Sequence, residues 1–195
     1  MKRMLITGFE PFGGEKINPS FEAVSRLPDK INRYTLYKMR LPVVFGQAAE
    51  AAIAEAEKIR PDVILCIGQA GGRDAITPEY VGINLRNADL ADNAGSCPKD
   101  EAVVSDGPTA YFSSLPVRET VEAIKAAGLP ARISYSAGAY VCNDLFYTLL
   151  HRYDGSGVRV GFIHIPYSRE QGKEPSMELD CIVRALTVAI GAIDG

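Results

Sequence analysis

The stretch Asp62-Val-Ile-Leu-Cys-Ile-Gly68 is an almost continuous apolar run, and it decides the fold class. Such runs are typical of a central strand that is covered by helices on both faces. Residues 45–60, just before it, are rich in alanine with glutamates on one side, which predicts an amphipathic helix that ends at Pro61. Residues 33–41 alternate in part and predict the preceding strand. Strand, helix and strand in this order predict an α/β fold with a doubly wound sheet.

The rest of the chain continues this alternation in both directions. Apolar runs predict strands at residues 3–7, 80–85, 131–136 and 158–165. Caps and helical spacing predict a helix that begins at Asn18-Pro-Ser20, and further helices at residues 115–127, 143–151 and 177–190. Residues 86–106 are polar and aperiodic, and a loop of this length predicts a lid, an arm or an oligomer contact. No stretch resembles a linker, so we expect one domain over residues 1–195.

The composition argues against several classes of function. The net charge of -3 gives no basic footprint for nucleic acid, and no apolar run is long enough to span a bilayer. The apolar part of the N-terminus is too short for a signal peptide, so we expect a cytoplasmic protein. The four cysteines have neither metal-type spacing nor the density of a disulfide framework, which predicts free thiols.

Cys142 is the main candidate for chemistry. It follows the predicted strand 131–136 and a tight connection at Gly138, and it precedes the predicted helix 143–151. Unpaired N–H groups and the helix dipole at such a position favour the thiolate, which is the nucleophilic form. The sequence therefore predicts a catalytic nucleophile, with a small buried apolar cysteine as the alternative.

A cysteine nucleophile needs a base, and the chain has only two histidines. His151 lies nine residues beyond Cys142 on the same predicted helix, about 13 Å away, and cannot reach the thiol. His164 lies near the end of the predicted strand 158–165, at the edge of the sheet where ligands bind in this architecture. We therefore predict His164 as general base and acid, with a hydrogen-bonded core histidine as the alternative.

A third group usually orients the histidine. Glu79, which follows the stiffening Pro78, is our choice, and Asp74 and Asp144 remain open as rivals. Two histidines and scattered acidic residues give no ligand cluster, so we expect neither a metal nor a cofactor.

The segment Gly8-Phe-Glu-Pro-Phe-Gly-Gly14 carries two aromatic residues on a connection that would otherwise be polar. Phe9 and Phe12 could sandwich a small planar ligand, or they could simply plug the top of the core. Neither the G-x-G-x-x-G order nor the P-loop pattern is present, which argues against a nucleotide site.

Four segments together resemble the pyroglutamyl peptidase type I family, also called pyrrolidone-carboxylate peptidases. They are Thr7-Gly-Phe-Glu-Pro-Phe-Gly-Gly14, Ile67-Gly-Gln-Ala-Gly-Gly-Arg73 with Ile76-Thr-Pro-Glu79, Ser136-Ala-Gly-Ala-Tyr-Val-Cys-Asn143, and Gly161-Phe-Ile-His-Ile-Pro-Tyr167. The resemblance runs nearly the full length of the chain. It implies a cysteine peptidase that acts on peptides with N-terminal pyroglutamate, an α/β/α sandwich with a mixed, mostly parallel sheet, no metal, and commonly a homotetramer.

Carried over residue by residue, the resemblance implies a catalytic triad of Glu79, Cys142 and His164. It implies that Phe9 and Phe12 bind the pyroglutamyl ring and that Gln69 lies in the substrate pocket. Tyr140 stands where the family often has a phenylalanine, and we expect it to contact the substrate as well.

One position departs from the family pattern. The pocket segment, which in the family usually reads Ala-Arg-Ile-Pro-Asp-Asn, reads Ala88-Asp-Leu-Ala-Asp-Asn93 here, so Asp89 replaces an arginine. Two other functions therefore stay open, namely another thiol amidase and a non-catalytic protein that binds a small molecule on the same fold.

Overall fold

The computed structural model of the protein describes residues 1–194. The helices are α1 Pro19–Arg26, α2 Gln47–Ile59, α3 Val117–Ala126, α4 Val141–Tyr153 and α5 Leu179–Ala192. The strands are β1 Lys2–Phe9, β2 Lys30–Ile31, β3 Tyr34–Leu41, β4 Val63–Gln69, β5 Thr77–Pro78, β6 Val81–Ile83, β7 Ala110–Phe112, β8 Arg159–Ile165, β9 Tyr167–Ser168 and β10 Ser176–Met177. A short 3₁₀ turn covers Arg169–Gln171. No helix among residues 1–194 combines the length and the hydropathy needed to cross a bilayer.

The main sheet has six strands in the order β2-β3-β1-β4-β8-β5. The four central strands are parallel, and the short edge strands β2 and β5 are antiparallel to their neighbours. Two small ribbons, β6 with β7 and β9 with β10, lie outside this sheet. The prediction of a mixed, mostly parallel sheet is confirmed.

The sheet is buried between two layers of helices, as an almost wholly apolar central strand requires. Met4, Leu65 and Ile163 point to one face, where α1, α3 and α5 pack. Leu5 and Ile64 point to the other face, where α2 and α4 pack. The chain is therefore a single α/β domain with a three-layer sandwich, as expected.

Residues 131–136 correct the sequence-based assignment, because they form no regular strand. They run parallel to residues 76–80 and share three backbone hydrogen bonds with them, with a fourth from Ile76 to the Pro130 carbonyl, but only two isolated bridges result, Ile76 with Ala131 and Glu79 with Ser134. A regular strand would need one more backbone hydrogen bond between these two bridges, donated by the N–H of residue 78. Pro78 has no N–H, so the bond cannot form. The predicted strand 80–85 is also shorter, and it lies in the β6–β7 ribbon rather than the main sheet.

Residues 86–106, which we call the arm, form no helix and fold back on themselves through a bridge between Arg86 and Glu101. The arm is tied to the edge of the sheet where β1 and β4 end. Asn93 donates hydrogen bonds to the Glu10 carboxylate and the Pro11 carbonyl, and Asp92 accepts one from the Phe45 N–H. The arm therefore helps to shape the surface above the carboxyl ends of the strands.

Candidate active site

The predicted site residues come from separate segments and meet at one edge of the sheet. Phe9 is the last residue of β1, Gln69 is the last residue of β4, and His164 is the penultimate residue of β8. Because these strands are parallel neighbours, their carboxyl ends lie side by side. Helix α4 brings Cys142 to the same edge from the layer of α2 and α4.

Cys142 and His164 are both neighbours of Gly68. Gly68 and His164 are register partners on β4 and β8, so their Cα–Cβ directions point to the same face of the sheet. A Cβ atom on Gly68 would lie 3.0 Å from the Cys142 sulfur, and it would also press on the Phe162 ring. The missing side chain of Gly68 thus lets the thiol approach the sheet beside His164. Within residues 1–194 no hydrogen bond joins the two.

His164 is held by Glu79. The His164 Nδ1 and Glu79 Oε1 atoms are 2.7 Å apart, and both side chains are almost completely buried. A carboxylate can only accept, so Nδ1 carries the proton and Nε2 is left as the basic nitrogen. The ring of Phe162 lies against the imidazole with a centroid distance of 4.7 Å, which restricts its rotation.

The other acidic candidates and the second histidine are engaged elsewhere. Asp74 is an exposed partner of Arg132. Asp144 is buried, but it accepts hydrogen bonds from Arg86 and from the N–H of Gly46. His151 forms a hydrogen bond with the hydroxyl of Tyr111. Of the acids left open by the sequence, the structure brings only Glu79 to His164.

Arg73 is a site residue that the sequence reasoning did not single out. Its Nη1 lies 2.7 Å from Glu79 Oε1 and 2.5 Å from the Thr77 hydroxyl, and its Nη2 donates to the Ser136 carbonyl. In the sequence, it stands at the end of Gly71-Gly-Arg73 in the loop after the central strand, within one of the segments that resemble the family.

The pKa of the Cys142 thiol is shifted in the direction opposite to that expected from its helix position. Cys142 does lie in the first turn of α4, which begins at Val141, two residues earlier than predicted. Burial nevertheless raises the pKa of the Cys142 thiol to about 12, the charge of Glu79 acts in the same direction, and Arg73 opposes it. Burial also lowers the pKa of His164, with the Glu79 carboxylate opposing the shift. Both shifts favour the neutral forms, a thiol and an uncharged imidazole.

A small apolar pocket of about 40 Å³ opens beside the thiol. It is lined by Phe9, Phe12, Asn18, Val43, Gln69, Tyr140, Val141 and Cys142. All four substrate-binding residues of the sequence analysis are in this set. Asn18, Val43 and Val141 were missed, because a helix cap, a residue after a strand and a residue in a helix turn carry no separate signal for a pocket.

Aromatic rings form one wall of the pocket. The rings of Phe12 and Tyr140 have centroids 6.1 Å apart, and Phe45 packs edge-on against Tyr140 at 5.3 Å. The Tyr140 hydroxyl donates to the carbonyl of Ala91 in the arm, and burial raises its pKa to about 12. Tyr140 therefore presents its ring, rather than its hydroxyl, to Phe12.

The amide of Gln69 is oriented by the 3₁₀ turn. Gln171 Nε2 donates to Gln69 Oε1 at 2.9 Å, and Gln171 Oε1 accepts from the N–H of Ser168 at 3.0 Å. These two contacts distinguish the nitrogen of the Gln171 amide from its oxygen. The Gln69 carbonyl is occupied by Gln171, so its NH₂ group is the end that remains for a ligand.

Asp89, where the family usually has arginine, lies outside this constellation. Its side chain is fully exposed and pairs with Lys99 within the arm. Arg86 instead points to the buried carboxylate of Asp144. Neither residue is among those that line the pocket. Among residues 1–194 no group of three or more histidine, cysteine or acidic side chains is arranged to hold a metal ion.

Comparisons with known proteins agree over the whole chain. A family model described as pyroglutamyl peptidase matches residues 2–194. The pyrrolidone-carboxylate peptidase of Lactobacillus helveticus is 49% identical, over 96% of this chain and 96% of that protein. The corresponding protein of Thermosipho africanus is also 49% identical, over 98% of this chain and 96% of its own length. The crystal structure of pyroglutamyl peptidase I from Bacillus amyloliquefaciens superimposes with a TM-score of 0.95 at 44% identity, over 99% of this chain and 97% of that one.

Proposed function

The chain belongs to the pyroglutamyl peptidase family, and from this premise we propose that it is a cysteine peptidase that removes an N-terminal pyroglutamyl residue from peptides. The observation that carries the proposal is the placement of Cys142 beside the hydrogen-bonded pair of His164 and Glu79, at the mouth of a small apolar pocket. A nucleophile, a base and an orienting acid are the groups that acyl transfer requires.

In the proposed reaction, the pair of Cys142 and His164 starts in its neutral form. His164 Nε2 takes the thiol proton as the sulfur attacks the carbonyl carbon that joins pyroglutamate to the next residue. The C–N bond then breaks, His164 gives the proton to the departing amine, and a pyroglutamyl thioester remains. Water attacks the thioester with His164 as base, which releases pyroglutamate and restores the thiol.

The oxyanion of each tetrahedral intermediate needs hydrogen-bond donors. The N–H of Cys142, in the first turn of α4, is donated to no acceptor within residues 1–194. We assign it to the oxyanion, where one such donor typically contributes about 3 kcal/mol to transition-state stabilisation. Glu79 keeps the imidazole in the tautomer with a free Nε2 and stabilises the imidazolium that forms during the reaction.

The pocket suits a small uncharged ring. Phe9, Phe12 and Tyr140 supply apolar surface for the lactam ring, and the NH₂ group of Gln69 can donate to its carbonyl. Pyroglutamate has no charged amine, whereas an N-terminal proline of similar bulk would lose the hydration of its ammonium group here. The described pocket residues include no carboxylate that would compensate this loss.

The direct test is the hydrolysis of a fluorogenic pyroglutamyl amide under reducing conditions by the wild type, by Cys142→Ala and by Cys181→Ser. We expect the wild type and Cys181→Ser to be active and Cys142→Ala to be inactive, because Cys181 lies in α5 on the opposite face of the sheet. Activity that survives Cys142→Ala would overturn the mechanism. A folded wild type that cleaves other amides would indicate a different thiol amidase, and one that only binds the compound would indicate a binding protein.

We also propose that the protein is a homotetramer, as the family resemblance implies. Support comes from an aromatic cluster of Tyr80, Phe112 and Tyr135, in which the last two side chains are 71% and 62% exposed. Exposed aromatic clusters are common at protein interfaces. Light scattering should give about four times the 21.1 kDa of one chain, and a mass near 21.1 kDa would rule the tetramer out.

A cytoplasmic location is likewise our proposal. It is supported by four cysteines that are all unpaired and by a mechanism that needs a reduced thiol. Fractionation of cells that express the protein should recover it with cytoplasmic markers, and recovery with secreted proteins would contradict the proposal.

A further inference from the structure

Arg73 connects the parts of the site that come from different segments. Its guanidinium contacts the Glu79 carboxylate, the hydroxyl of Thr77 and the backbone carbonyl of Ser136. The Thr77 hydroxyl in turn donates to the carbonyl of His164 at 3.2 Å. Ser136 belongs to the segment that leads into α4 and Cys142. Arg73 thus links Glu79, the strand β8 that carries His164, and the segment that leads to Cys142.

The same guanidinium compensates a buried charge. The Glu79 side chain is 0% exposed, and its Oε1 accepts from both His164 and Arg73, while Oε2 has no donor within residues 1–194. An ionised carboxylate in such a place is costly unless an opposite charge lies next to it. Arginine is always protonated in proteins, so Arg73 supplies a fixed positive charge 2.7 Å from the Glu79 carboxylate.

We propose that Arg73 is a positioning residue of the triad, which holds the Glu79 carboxylate in place and keeps His164 available as a neutral base. This inference rests on the proposed peptidase function. Arg73 does not line the pocket, and its side chain is 23% exposed, so it acts through Glu79 rather than on the substrate.

The charged and titratable groups that face His164 determine what removal of Arg73 would do. They are Glu79 and Arg73 from the β4–β5 segment, Cys142 from α4, and Cys66 on the same face of β4. Arg73 is the one fixed positive charge in this set, and its field lowers the pKa of His164. Without it, the imidazolium is favoured, and the base is lost at a higher pH than in the wild type.

The test compares Arg73→Gln, which removes the charge, with Arg73→Lys, which keeps it, in hydrolysis of the fluorogenic pyroglutamyl amide. The acid limb of kcat/KM should move up by about one pH unit in Arg73→Gln, with about tenfold lower kcat/KM on its acid side. Arg73→Lys should keep the limb near its wild-type position at reduced amplitude, since an ammonium cannot span all three partners. Arg132→Gln, on the exposed partner of Asp74, is the matched control and should leave the profile unchanged.

An unmoved limb in Arg73→Gln, or an equal shift in Arg73→Lys, would overturn the inference while leaving the peptidase function intact. A double-mutant cycle with Glu79→Gln gives a second readout that needs no activity. Thermal unfolding should show that Arg73→Gln costs less stability in the Glu79→Gln background than in the wild type, and that the double variant folds even if Arg73→Gln alone does not. Equal costs in both backgrounds would mean that the two charges are not coupled.

Discussion

At the scale of single residues, burial favours the uncharged form of both side chains to which we assign the roles of nucleophile and base. The thiol of Cys142 and the imidazole of His164 are both buried, and burial disfavours the charged form of each. A preformed thiolate–imidazolium pair would have to overcome both effects. In the proposed reaction we therefore expect proton transfer to accompany attack on the carbonyl, when the oxyanion donors begin to stabilise the new negative charge.

This charge state predicts the pH dependence of activity. Burial lowers the pKa of His164 below 6.5, so the imidazole is already neutral in mildly acidic solution. The acid limb of kcat/KM should consequently lie below pH 6.5, and the pKa of Cys142 near 12 should leave activity level from about pH 7 to about pH 9. Initial rates with a pyroglutamyl amide across this range provide the check. A limb at or above pH 6.5 would show that His164 is not held neutral.

Gly68 is predicted to be irreplaceable for activity. An added Cβ would lie 2.8 Å from the Phe162 ring and 3.0 Å from the Cys142 sulfur, so Gly68→Ala must displace one of them. We expect kcat/KM to fall at least about tenfold, with a loss of about 1–3 kcal/mol in stability from overpacking.

Gly191→Ala is the matched control for this substitution. There the added Cβ meets only the flexible end of Asn32, and alanine favours a helix interior by about 1 kcal/mol. Its kcat/KM should equal that of the wild type. A Gly68→Ala enzyme with wild-type kinetics would show that the thiol does not need this space.

At the scale of elements, the 3₁₀ turn at residues 169–171 orients a predicted substrate-binding side chain without lining the pocket. Gln171 fixes the orientation of the Gln69 amide, so Gln171→Leu should let that amide rotate. A lost hydrogen bond of about 1 kcal/mol corresponds to a rise in KM of about fivefold, with a smaller change in kcat. Steady-state kinetics with Glu170→Gln, an exposed neighbour on the same turn, serve as the control. Equal KM values for wild type and Gln171→Leu would contradict the role.

The elements also show what the sequence could and could not predict. The apolar runs of the central strands and the helical spacing of apolar residues were strong signals in the sequence. The central strands and the helices begin and end within a few residues of their predicted positions. Residues 131–136 have the composition of a strand, but the missing N–H of Pro78 interrupts their pairing with residues 76–80. Pairing between residues 55 positions apart in the sequence cannot be read from local patterns. Arg73 and Gln171 were missed for a related reason, because their roles depend on partners that only the fold brings near.

At the scale of the molecule, the proposed active site and a polar cluster occupy opposite edges of the sheet. The cluster lies where the central strands begin, and it centres on the Asp194 carboxylate, which follows α5. Lys2, Arg33, Tyr34 and Arg159 all contact this carboxylate. The carboxylate therefore connects the segment after α5 to the first residues of β1, β3 and β8. Since the proposed catalytic groups lie at the carboxyl edge, we expect changes in this cluster to affect stability and to leave catalysis unchanged.

Asp194→Asn tests this separation of stability from activity. The partners of Asp194 hold its pKa at about 2, against an ordinary 3.8, and its side chain is only 11% exposed. A lowered carboxyl pKa contributes stability that is fully present above the unfolded value near 4 and is lost as the pH falls through about 2. At pH 7 we expect Asp194→Asn to lose about 2 kcal/mol and to melt about 5 °C lower than the wild type, with kcat/KM unchanged.

By pH 3 the difference in stability between Asp194→Asn and the wild type should shrink to about half. At this pH the carboxyl group of the wild type is mostly protonated in the unfolded chain but still mostly ionised in the folded one. Urea unfolding at a series of pH values measures the difference directly, and a gap that stays constant from pH 7 to pH 3 would show that the charge of Asp194 is not what stabilises this edge of the sheet.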